Sequence, residues 1–363
     1  MIQARPKKRG AAPAHDFLLV DDFLRDLVPA RALKSALELR LVDYLLEHAP
    51  QSAEAIAQAL RLDAAGLAFL LQLLLASQVV DRVDGRYRLH ARFVKALAFR
   101  DLLEAKLDFA GFVAPDLLEQ FTSLIADPAG FKGRSRLYDL FDYRRCLEPT
   151  HENYERTRAW MRLTSTLTRY EARALLSRHD FGAARRLLDV GGNSGELALQ
   201  LCRAHPALQA TVMDLPLVVE IAQEHVLPHA ERERIAFLAG DLRRDALPAG
   251  QDLVCFKSML HDWPEAEARR FIAAGAQALD PGGTLLIFER APLDPAARPP
   301  GFGSLPVLLF FRSYRDPALY RDALQAAGLR DIRLQTVELD VPFVLLTATK
   351  PGVAREPLQS RHA

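Results

Sequence analysis

A glycine-rich segment between two short apolar runs constrains this chain more than any other feature. Residues 185–195 read RRLLDVGGNSG, and the next apolar run, residues 210–213, ends in Asp214. Glycine lets the backbone turn sharply and approach a ligand without a Cβ in the way. A carboxylate at the end of the following strand can accept both hydroxyls of a nucleoside ribose. The two motifs together predict a site for an adenosine-containing cofactor.

The spacing of the glycines separates two classes of cofactor. The pyrophosphate of a dinucleotide requires the pattern G-x-G-x-x-G leading into a helix N-terminus. Here Gly191, Gly192 and Gly195 are followed by no further glycine at the required distance, and Asp189 opens the loop. A carboxylate suits the cationic methionine end of S-adenosylmethionine (SAM) better than a pyrophosphate. The loop therefore favours SAM over NAD, although glycines alone are also typical of a plain strand-to-helix turn.

Length and composition exclude several classes of protein. The 363 residues are 50% hydrophobic, which favours two domains over one. A net charge of +1 gives no overall field for nucleic acid or for a membrane surface. The three cysteines show neither disulfide nor metal-site spacing, so we expect a reduced, cytoplasmic protein without a metal. The first residues lack the apolar segment of a signal peptide, and the apolar runs are too short to span a membrane.

The N-terminal part has the element order of a winged helix. Ser52 and Asp63 are placed to cap helices over residues 53–60 and 64–76, and Asp84-Gly85 predicts a hairpin. A DNA-binding regulator is therefore one alternative. The third helix, residues 64–76, contains no basic residue and is apolar nearly all round, whereas a DNA-reading helix needs Arg, Lys, Asn or Gln. We predict a dimerisation module, although an intramolecular core would show the same pattern.

The C-terminal half alternates strands and helices. Strands are expected over residues 235–238, 253–256 and 284–289, which predicts a parallel sheet covered by helices on both faces. Ligands of such sheets bind at the carboxyl ends of the strands. Asp241 follows one of these strands, where its carboxylate could reach an adenine amino group or simply form a turn.

His261 lies just beyond the strand over residues 253–256. A histidine there can take a proton from a hydroxyl, because its pKa is naturally near neutral. Asp262 and Glu289 follow neighbouring strand ends, and either could orient the imidazole. The alternative is a surface or capping histidine.

The motifs occur in an order that resembles class I SAM-dependent O-methyltransferases of the caffeic-acid/hydroxyindole type and their bacterial relatives in secondary metabolism. The likeness covers roughly residues 25–350 and rests on five motifs: DVGGNSG, MDLP, GD, KSMLHDW and LDPGGTLLIFE. The family implies a Rossmann-like α/β SAM-binding domain behind a helical, winged-helix-like domain that exchanges helices in a homodimer. It further implies SAM as cofactor, S-adenosylhomocysteine (SAH) as product, a small-molecule acceptor, and neither nucleic acid nor membrane as partner.

The resemblance also assigns roles by position. His261 matches the general base, and Asp262 and Glu289 match acidic residues near it. The family base deprotonates the acceptor hydroxyl, and the rate gain comes chiefly from alignment of the reactants in a water-poor site. The residues that resemble cofactor contacts or belong to the cofactor loop are Asp189, Gly191, Gly192, Gly195, Asp214, Leu215, Asp241, Leu242, Lys257 and Trp263.

Two positions depart from the family pattern. Asn193 replaces the usual middle glycine, which is tolerable because Asn adopts left-handed backbone angles more readily than most residues. Leu319 or Tyr320 falls near the place of a second glutamate that supports the histidine. The resemblance therefore leaves His261 either supported from one side only or acting without a base role.

The acceptor pocket is expected from the middle helices and the segment over residues 301–316. Trp160, Met161 and Phe310 are proposed to line it, although each residue taken singly is also typical of a core. Arg312, Tyr314 and Arg315 could close over the acceptor, with the arginines pairing with a substrate carboxylate. The alternative is an amphipathic helix with a solvated basic edge.

These observations divide the chain into five parts. We expect a basic arm over 1–15, the dimerisation domain over 16–100, a helical linker to the pocket over 101–180, the SAM-binding domain over 181–350 and a flexible tail over 351–363. The favoured activity is methyl transfer to a hydroxyl of a small aromatic acceptor. The alternatives also use SAM. One is methylation of a carboxylate-bearing thioether or of a ring carbon, in which His261 only positions the acceptor. Others are SAM-dependent decarboxylation or hydroxylation, and a winged-helix regulator that senses SAM.

Overall fold

The computed structural model describes residues 15–352, so the arm expected over 1–15 and the tail over 351–363 lie almost wholly outside it. The described chain forms two compact units. The first runs to Leu107 and adds the short returns Gly301–Gly303 and Glu338–Asp340, and the second contains the remainder.

The first unit consists of helices and one hairpin. A 3₁₀ helix over Asp16–Phe23 precedes them, and the last helix continues into the second unit. Its elements are α1 (Leu27–Glu38), α2 (Leu41–His48), α3 (Ala53–Leu60), α4 (Ala64–Ala76), β1 (Val80–Val83), β2 (Arg86–Leu89), α5 (Ala91–Ala96) and α6 (Arg100–Ala126).

The predicted local signals of this unit are present. The Ser52 hydroxyl accepts from the Ala55 amide at 3.2 Å, and an Asp63 oxygen accepts from the Gly66 amide at 2.7 Å, so α3 and α4 begin as expected. Asp84 and Gly85 both have positive φ, 50° and 78°, as a two-residue hairpin turn requires. Helices α1 and α2 are separate, because Arg40 between them adopts a φ of 59°.

Helix α4 buries only one of its apolar faces within the protomer. Leu67, Leu71 and Leu74 are buried. The ring of Phe69 on the other face is 68% exposed. An exposed ring on a helix without charges favours an interface over an intramolecular core.

The second unit holds a sheet with helices packed against it. Its helices after α6 are α7 (Pro128–Arg134), α8 (Arg136–Leu140), α9 (His151–Leu176), α10 (Glu196–Ala204), α11 (Pro216–Val226), α12 (Glu265–Ala278), α13 (Leu305–Leu309) and α14 (Pro317–Ala326). Its strands are β3 (Arg186–Val190), β4 (Gln209–Asp214), β5 (Ile235–Ala239), β6 (Gln251–Lys257), β7 (Leu279–Arg290), β8 (Arg330–Glu338) and β9 (Pro342–Thr349).

The sheet has seven strands in the order β5-β4-β3-β6-β7-β9-β8. Strands β3 to β7 pair in parallel, and β9 runs antiparallel to β7. The parallel part confirms the predicted Rossmann-like α/β class, and it aligns the carboxyl ends of β3, β4, β6 and β7 along one edge. The antiparallel strand was not expected.

Strand β7 begins earlier than predicted, at Leu279 instead of Thr284. The Asp280-Pro-Gly-Gly283 segment belongs to the strand, with a shift of register opposite Gln251 and Leu253. A Cβ at Gly283 would lie 2.9 Å from the Asp280 carbonyl oxygen, so only glycine allows this close backbone approach.

Within residues 15–352, no single helix is long and apolar enough to cross a membrane. Among the described helices, α3 and α4 reach the required length and apolar composition only when they are counted together, and the chain bends sharply between them. The same residues contain no cluster of His, Cys, Asp and Glu that could hold a metal ion.

Candidate active site

The glycine loop connects β3 to α10 as the sequence indicates. Asn193 has a φ of 53°, and its side-chain oxygen accepts from the Ser194 amide at 2.8 Å, so this departure from the family pattern is accommodated. A Cβ at Gly192 would lie 2.7 Å from an oxygen of Asp189. Glycine at this position therefore lets the loop pass directly beside that carboxylate.

Asp189 is buried, and its Oδ2 has no hydrogen-bond partner within the described residues. Burial raises the pKa of Asp189 to about 7, although the nearby Lys257 opposes the shift. A buried polar atom without a partner costs about 1–3 kcal/mol, so such an atom at a strand end is suited to accept from a ligand. The ammonium group of SAM would supply a donor there, which fits the predicted cofactor.

Asp214 ends β4 and is held by two backbone amides. Its Oδ2 accepts from Asn193 and its Oδ1 from Leu215, each at 2.8 Å. Burial raises the pKa of Asp214 to about 6 against these two hydrogen bonds. A carboxylate has about four acceptor sites, so Asp214 keeps capacity for the two hydroxyls of a ribose.

Asp241 is engaged by a residue that the sequence interpretation missed. The Arg243 guanidinium donates to both of its oxygens, at 2.8 and 2.7 Å in the shorter contacts, and lowers the pKa of Asp241. The same guanidinium lies 5.3 Å from the centre of the Trp263 ring. Leu242 and Trp263 pack against the same apolar core. An adenine contact to Asp241 would have to share this carboxylate with Arg243.

Lys257 turns its side chain toward α9. Its ammonium donates to the Thr168 hydroxyl at 2.8 Å and forms an ion pair with Glu171, which also pairs with Arg290 at 2.6 Å. These contacts tie α9 to the carboxyl ends of β6 and β7. From the sequence, a lysine at the end of a buried strand is expected to need a polar partner, but the sequence does not indicate which residue that partner is.

His261 is oriented by Glu289. The imidazole Nδ1 lies 2.6 Å from Glu289 Oε2. The other carboxylate oxygen accepts from the amides of Met259 and Leu260, at 2.9 and 2.7 Å. Glu289 is completely buried, so this arrangement fixes the ring and leaves Nε2 as the nitrogen that does not contact Glu289. Of the two acidic residues expected near the histidine, Glu289 takes the orienting position.

Asp262 lies on the opposite side of the ring, with its Oδ1 3.4 Å from Nε2. Burial by itself would lower the pKa of His261, but the charges of Asp262 and Glu289 outweigh it and raise the pKa. Burial raises the pKa of Asp262. The pKa of Glu289 is lowered, because the charge and hydrogen bond of His261 outweigh its burial.

Tyr143 completes this group and was not identified from the sequence. Its hydroxyl donates to Asp262 Oδ2 at 2.7 Å, and burial raises its pKa well above the usual value. The residue lies in a 3₁₀ helix, Tyr143–Leu147, far from Asp262 along the chain. No spacing rule connects the two segments, and an aromatic residue in a helical region was the only available signal.

Two aromatic rings lie beside the buried imidazole. Tyr314 and Phe310 lie 5.4 and 6.4 Å from its centre, and Phe141 lies 5.1 Å from Phe310. Trp160 and Met161 are buried against Leu215 beside the glycine loop. The structure thus brings four of the six proposed acceptor residues to the region of His261 and the cofactor loop.

The two remaining residues, Arg312 and Arg315, have other partners than the expected substrate carboxylate. Arg315 donates to the carbonyl of Leu260 at 2.7 Å and to that of Trp263. Arg312 is exposed and donates to the carbonyl of Ile125 at 3.2 Å, near the end of α6. The guanidinium groups satisfy carbonyls at a loop and at a helix terminus, where free acceptors are abundant.

The position expected for a second supporting glutamate holds no carboxylate. Tyr320 is fully buried there, and Leu319 packs against the core of the sheet domain. His261 is therefore oriented at Nδ1 by Glu289 and flanked at Nε2 by Asp262, without a contribution from α14 of the kind the family pattern implies.

Comparisons with known proteins agree with this architecture. The model of an O-methyltransferase domain matches residues 135–329, and that of an O-methyltransferase dimerisation domain matches residues 22–94. The chain is 29% identical over 323 residues to 3-hydroxy-5-methyl-1-naphthoate 3-O-methyltransferase of Streptomyces sahachiroi, covering 87% of this chain and 90% of that protein. It is 30% identical over 269 residues to the N,N-dimethyltransferase OxyT of Streptomyces rimosus, covering 72% and 74%.

The fold is shared with solved structures. The crystal structure of human N-acetylserotonin methyltransferase in complex with SAM aligns with a TM-score of 0.69 and 23% identity, over 94% of this chain and 99% of that one.

Proposed function

Because the chain belongs to the family of SAM-dependent O-methyltransferases that act on small molecules, we propose that it methylates a hydroxyl of a small aromatic acceptor with His261 as general base. The observation that carries this proposal is the 2.6 Å contact between His261 Nδ1 and Glu289, which leaves Nε2 as the proton acceptor. The aromatic rings at the imidazole provide the surface for a planar acceptor.

The residues of the chain act on the proton and on the geometry. Glu289 accepts the Nδ1 hydrogen, which selects the tautomer with a free Nε2 lone pair. Nε2 takes the proton of the acceptor hydroxyl, and Glu289 and Asp262 stabilise the resulting imidazolium. Phe310, Tyr314 and Phe141 exclude water from the developing oxyanion. Bound SAM supplies an electrophilic methyl group on a sulfonium, to which the acceptor oxygen must be aligned.

We assign the cofactor to the edge formed by β3, β4 and β6. Asp189 would receive its ammonium group and Asp214 its ribose, with the glycine loop passing between them. The further residues proposed for this site are Gly191, Gly192, Gly195, Leu215, Asp241, Leu242, Lys257 and Trp263. Lys257 would contribute through its backbone, since its ammonium is used by Thr168 and Glu171.

Methylation of nitrogen is the second candidate, favoured by the similarity to a protein named as an N,N-dimethyltransferase. An aromatic amine would occupy the same place beside Nε2. The thioether alternative had two supports, the missing second glutamate and the arginines, and it keeps only the first, because Arg312 and Arg315 donate to backbone carbonyls.

Substitution of the proposed base tests the function. We expect His261→Ala to lower kcat by about 10²- to 10⁴-fold with a phenolic acceptor, the usual contribution of a general base. Binding of SAH, measured by calorimetry, should stay within about twofold, because the cofactor is assigned to other residues. His151→Ala, an exposed histidine at the start of α9, is the matched control and should behave as wild type.

The acceptor is identified by mass spectrometry after incubation of a phenol and aromatic amine panel with methyl-labelled SAM. Near-normal turnover of His261→Ala with a saturating phenol would overturn the base assignment. Exclusive labelling of amines would replace the hydroxyl acceptor by nitrogen.

A further inference from the structure

Trp160 carries a buried hydrogen-bond donor. Its side chain lies on α9 and is 6% exposed, and its indole Nε1 has no acceptor within residues 15–352. Buried indole N–H groups normally find a partner, because leaving one unpaired costs about 1–3 kcal/mol. Such a donor within a group of aromatic side chains indicates an oxygen supplied by a ligand.

Two series of contacts lead from Trp160 to the proposed base. Its ring lies 5.6 Å from Tyr143, whose hydroxyl donates to Asp262 beside His261. It also lies 5.7 Å from Phe141, which contacts Phe310 at 5.1 Å. Phe310 in turn lies 6.4 Å from the imidazole, so Trp160 and His261 belong to one connected group of aromatic side chains.

The charged side chains near the aromatic group indicate which kind of ligand oxygen the Trp160 indole N–H would bind. The two charged groups nearest to the imidazole nitrogens are the carboxylates of Asp262 and Glu289, which disfavour an additional anion. The guanidinium groups of Arg312 and Arg315 donate to backbone carbonyls. A single neutral N–H donor in apolar surroundings matches an uncharged carbonyl oxygen, since a carboxylate would need a cation or further donors.

We propose that the Trp160 indole N–H binds a carbonyl oxygen of a planar, multi-ring acceptor whose hydroxyl lies at His261. This inference rests on the proposed function, and it defines the acceptor class as a hydroxylated polycyclic aromatic ketone or quinone. The indole group would thereby set the direction in which the rings enter and would determine which hydroxyl faces Nε2.

The test compares acceptors that differ only in the carbonyl. We propose calorimetric binding of 2-hydroxyanthraquinone and 2-hydroxyanthracene to the SAH-saturated enzyme, in the wild type and in Trp160→Phe. The substitution keeps an aromatic ring and removes the donor. We expect binding of the quinone to weaken about five- to tenfold, the usual effect of losing one hydrogen bond, while binding of the hydrocarbon changes less than about twofold.

Two further variants separate hydrogen bonding from packing. Trp160→His restores a ring donor and should recover part of the preference for the quinone. Met161→Leu, at the neighbouring buried position, alters shape without removing a donor and should affect both ligands equally.

Three outcomes would overturn the inference. If Trp160→Phe weakened the binding of both ligands equally, Trp160 would contribute only packing and no hydrogen bond. If the SAH-saturated enzyme bound neither ligand, polycyclic acceptors would be excluded. The carboxylate-bearing 3-hydroxy-2-naphthoate serves as a third ligand. If Trp160→Phe weakened the binding of this ligand alone, the group bound by the indole N–H would be an anion and not a carbonyl. Failure of the proposed function is distinguishable, because it would appear as absent SAH binding or absent methyl transfer to any phenol or amine.

Discussion

The imidazole of His261 lies between two carboxylates with different tasks. Glu289 is buried, accepts from two backbone amides and orients Nδ1. Asp262 is held by the Tyr143 hydroxyl and faces Nε2, the nitrogen proposed to receive the proton. Both charges favour the imidazolium, which assists proton removal from the acceptor but also keeps the free base protonated to a higher pH.

The raised pKa of His261 should appear in the pH dependence of catalysis. The active neutral form is present only above that pKa, so kcat/KM should rise with pH through a limb displaced above about 6.5, the ordinary histidine pKa. Asp262→Asn removes one of the charges that raise the pKa of His261 and should shift the limb to lower pH. A series of pH–rate profiles with one phenolic acceptor measures both effects.

Asp322→Asn, which removes an exposed carboxylate on α14, is the control and should leave the limb in place. A limb unmoved by Asp262→Asn, or moved to higher pH, would contradict the assignment of the limb to His261.

At the scale of elements, Arg315 supports the loop that carries His261. Its guanidinium donates to the carbonyls of Leu260 and Trp263, on either side of the histidine. The segment joining α13 to α14 thus fixes the turn between β6 and α12 from a distant part of the sequence. This role differs from the substrate contact that the arginine content of the segment suggested.

Removal of this support should affect both stability and catalysis. We expect Arg315→Ala to lower the free energy of unfolding by about 2–3 kcal/mol, because two carbonyls lose a charged donor. We expect kcat to fall about tenfold for every acceptor, since a small displacement of the base misaligns it. Denaturant unfolding and steady-state kinetics provide the two measurements.

Arg312→Ala is the matched control, since that guanidinium is exposed and its contacts at 3.2 and 3.5 Å are long. Its unfolding free energy should stay within about 0.5 kcal/mol of wild type. If Arg315→Ala instead raised KM only for carboxylate-bearing acceptors, at unchanged stability and kcat, the substrate contact would be restored.

The sequence predicted those elements whose causes are local. Ser52 and Asp63 each bond an amide three residues away, and the hairpin turn depends on two adjacent residues. The glycine loop and the strand ends were predictable for the same reason. Tyr143, Arg243 and Glu171 were missed, because their partners are set by packing between segments, which periodicity and spacing do not encode.

At the scale of the whole molecule, the first unit has a surface suited to the association of two copies. The dimerisation-domain match supports a homodimer, and α4 presents the exposed ring of Phe69 on a helix without charged residues. A second copy would bury this face, which explains why a helix that packs one side into its own protomer is apolar on the other as well.

A charge on that face should therefore separate the copies. We expect Phe69→Glu to convert a dimer into a monomer at micromolar concentration, because burying an unpaired carboxylate in an apolar interface costs several kcal/mol. Leu227→Glu places the same charge on another exposed apolar position, 61% exposed and outside the dimerisation domain, and should leave the dimer intact. Sedimentation velocity of the three proteins distinguishes these states, and an unchanged dimer for Phe69→Glu would exclude this face.

The monomer also tests whether cofactor binding and methyl transfer depend on dimerisation. Every residue proposed for the cofactor and for proton transfer belongs to the second compact unit, whereas Phe69 belongs to the first. We therefore expect the Phe69→Glu monomer to bind SAH with wild-type affinity by calorimetry. If methyl transfer is lost while SAH binding is kept, the acceptor pocket requires a contribution from the second copy. If both are kept, the dimer serves stability and each protomer contains a complete site.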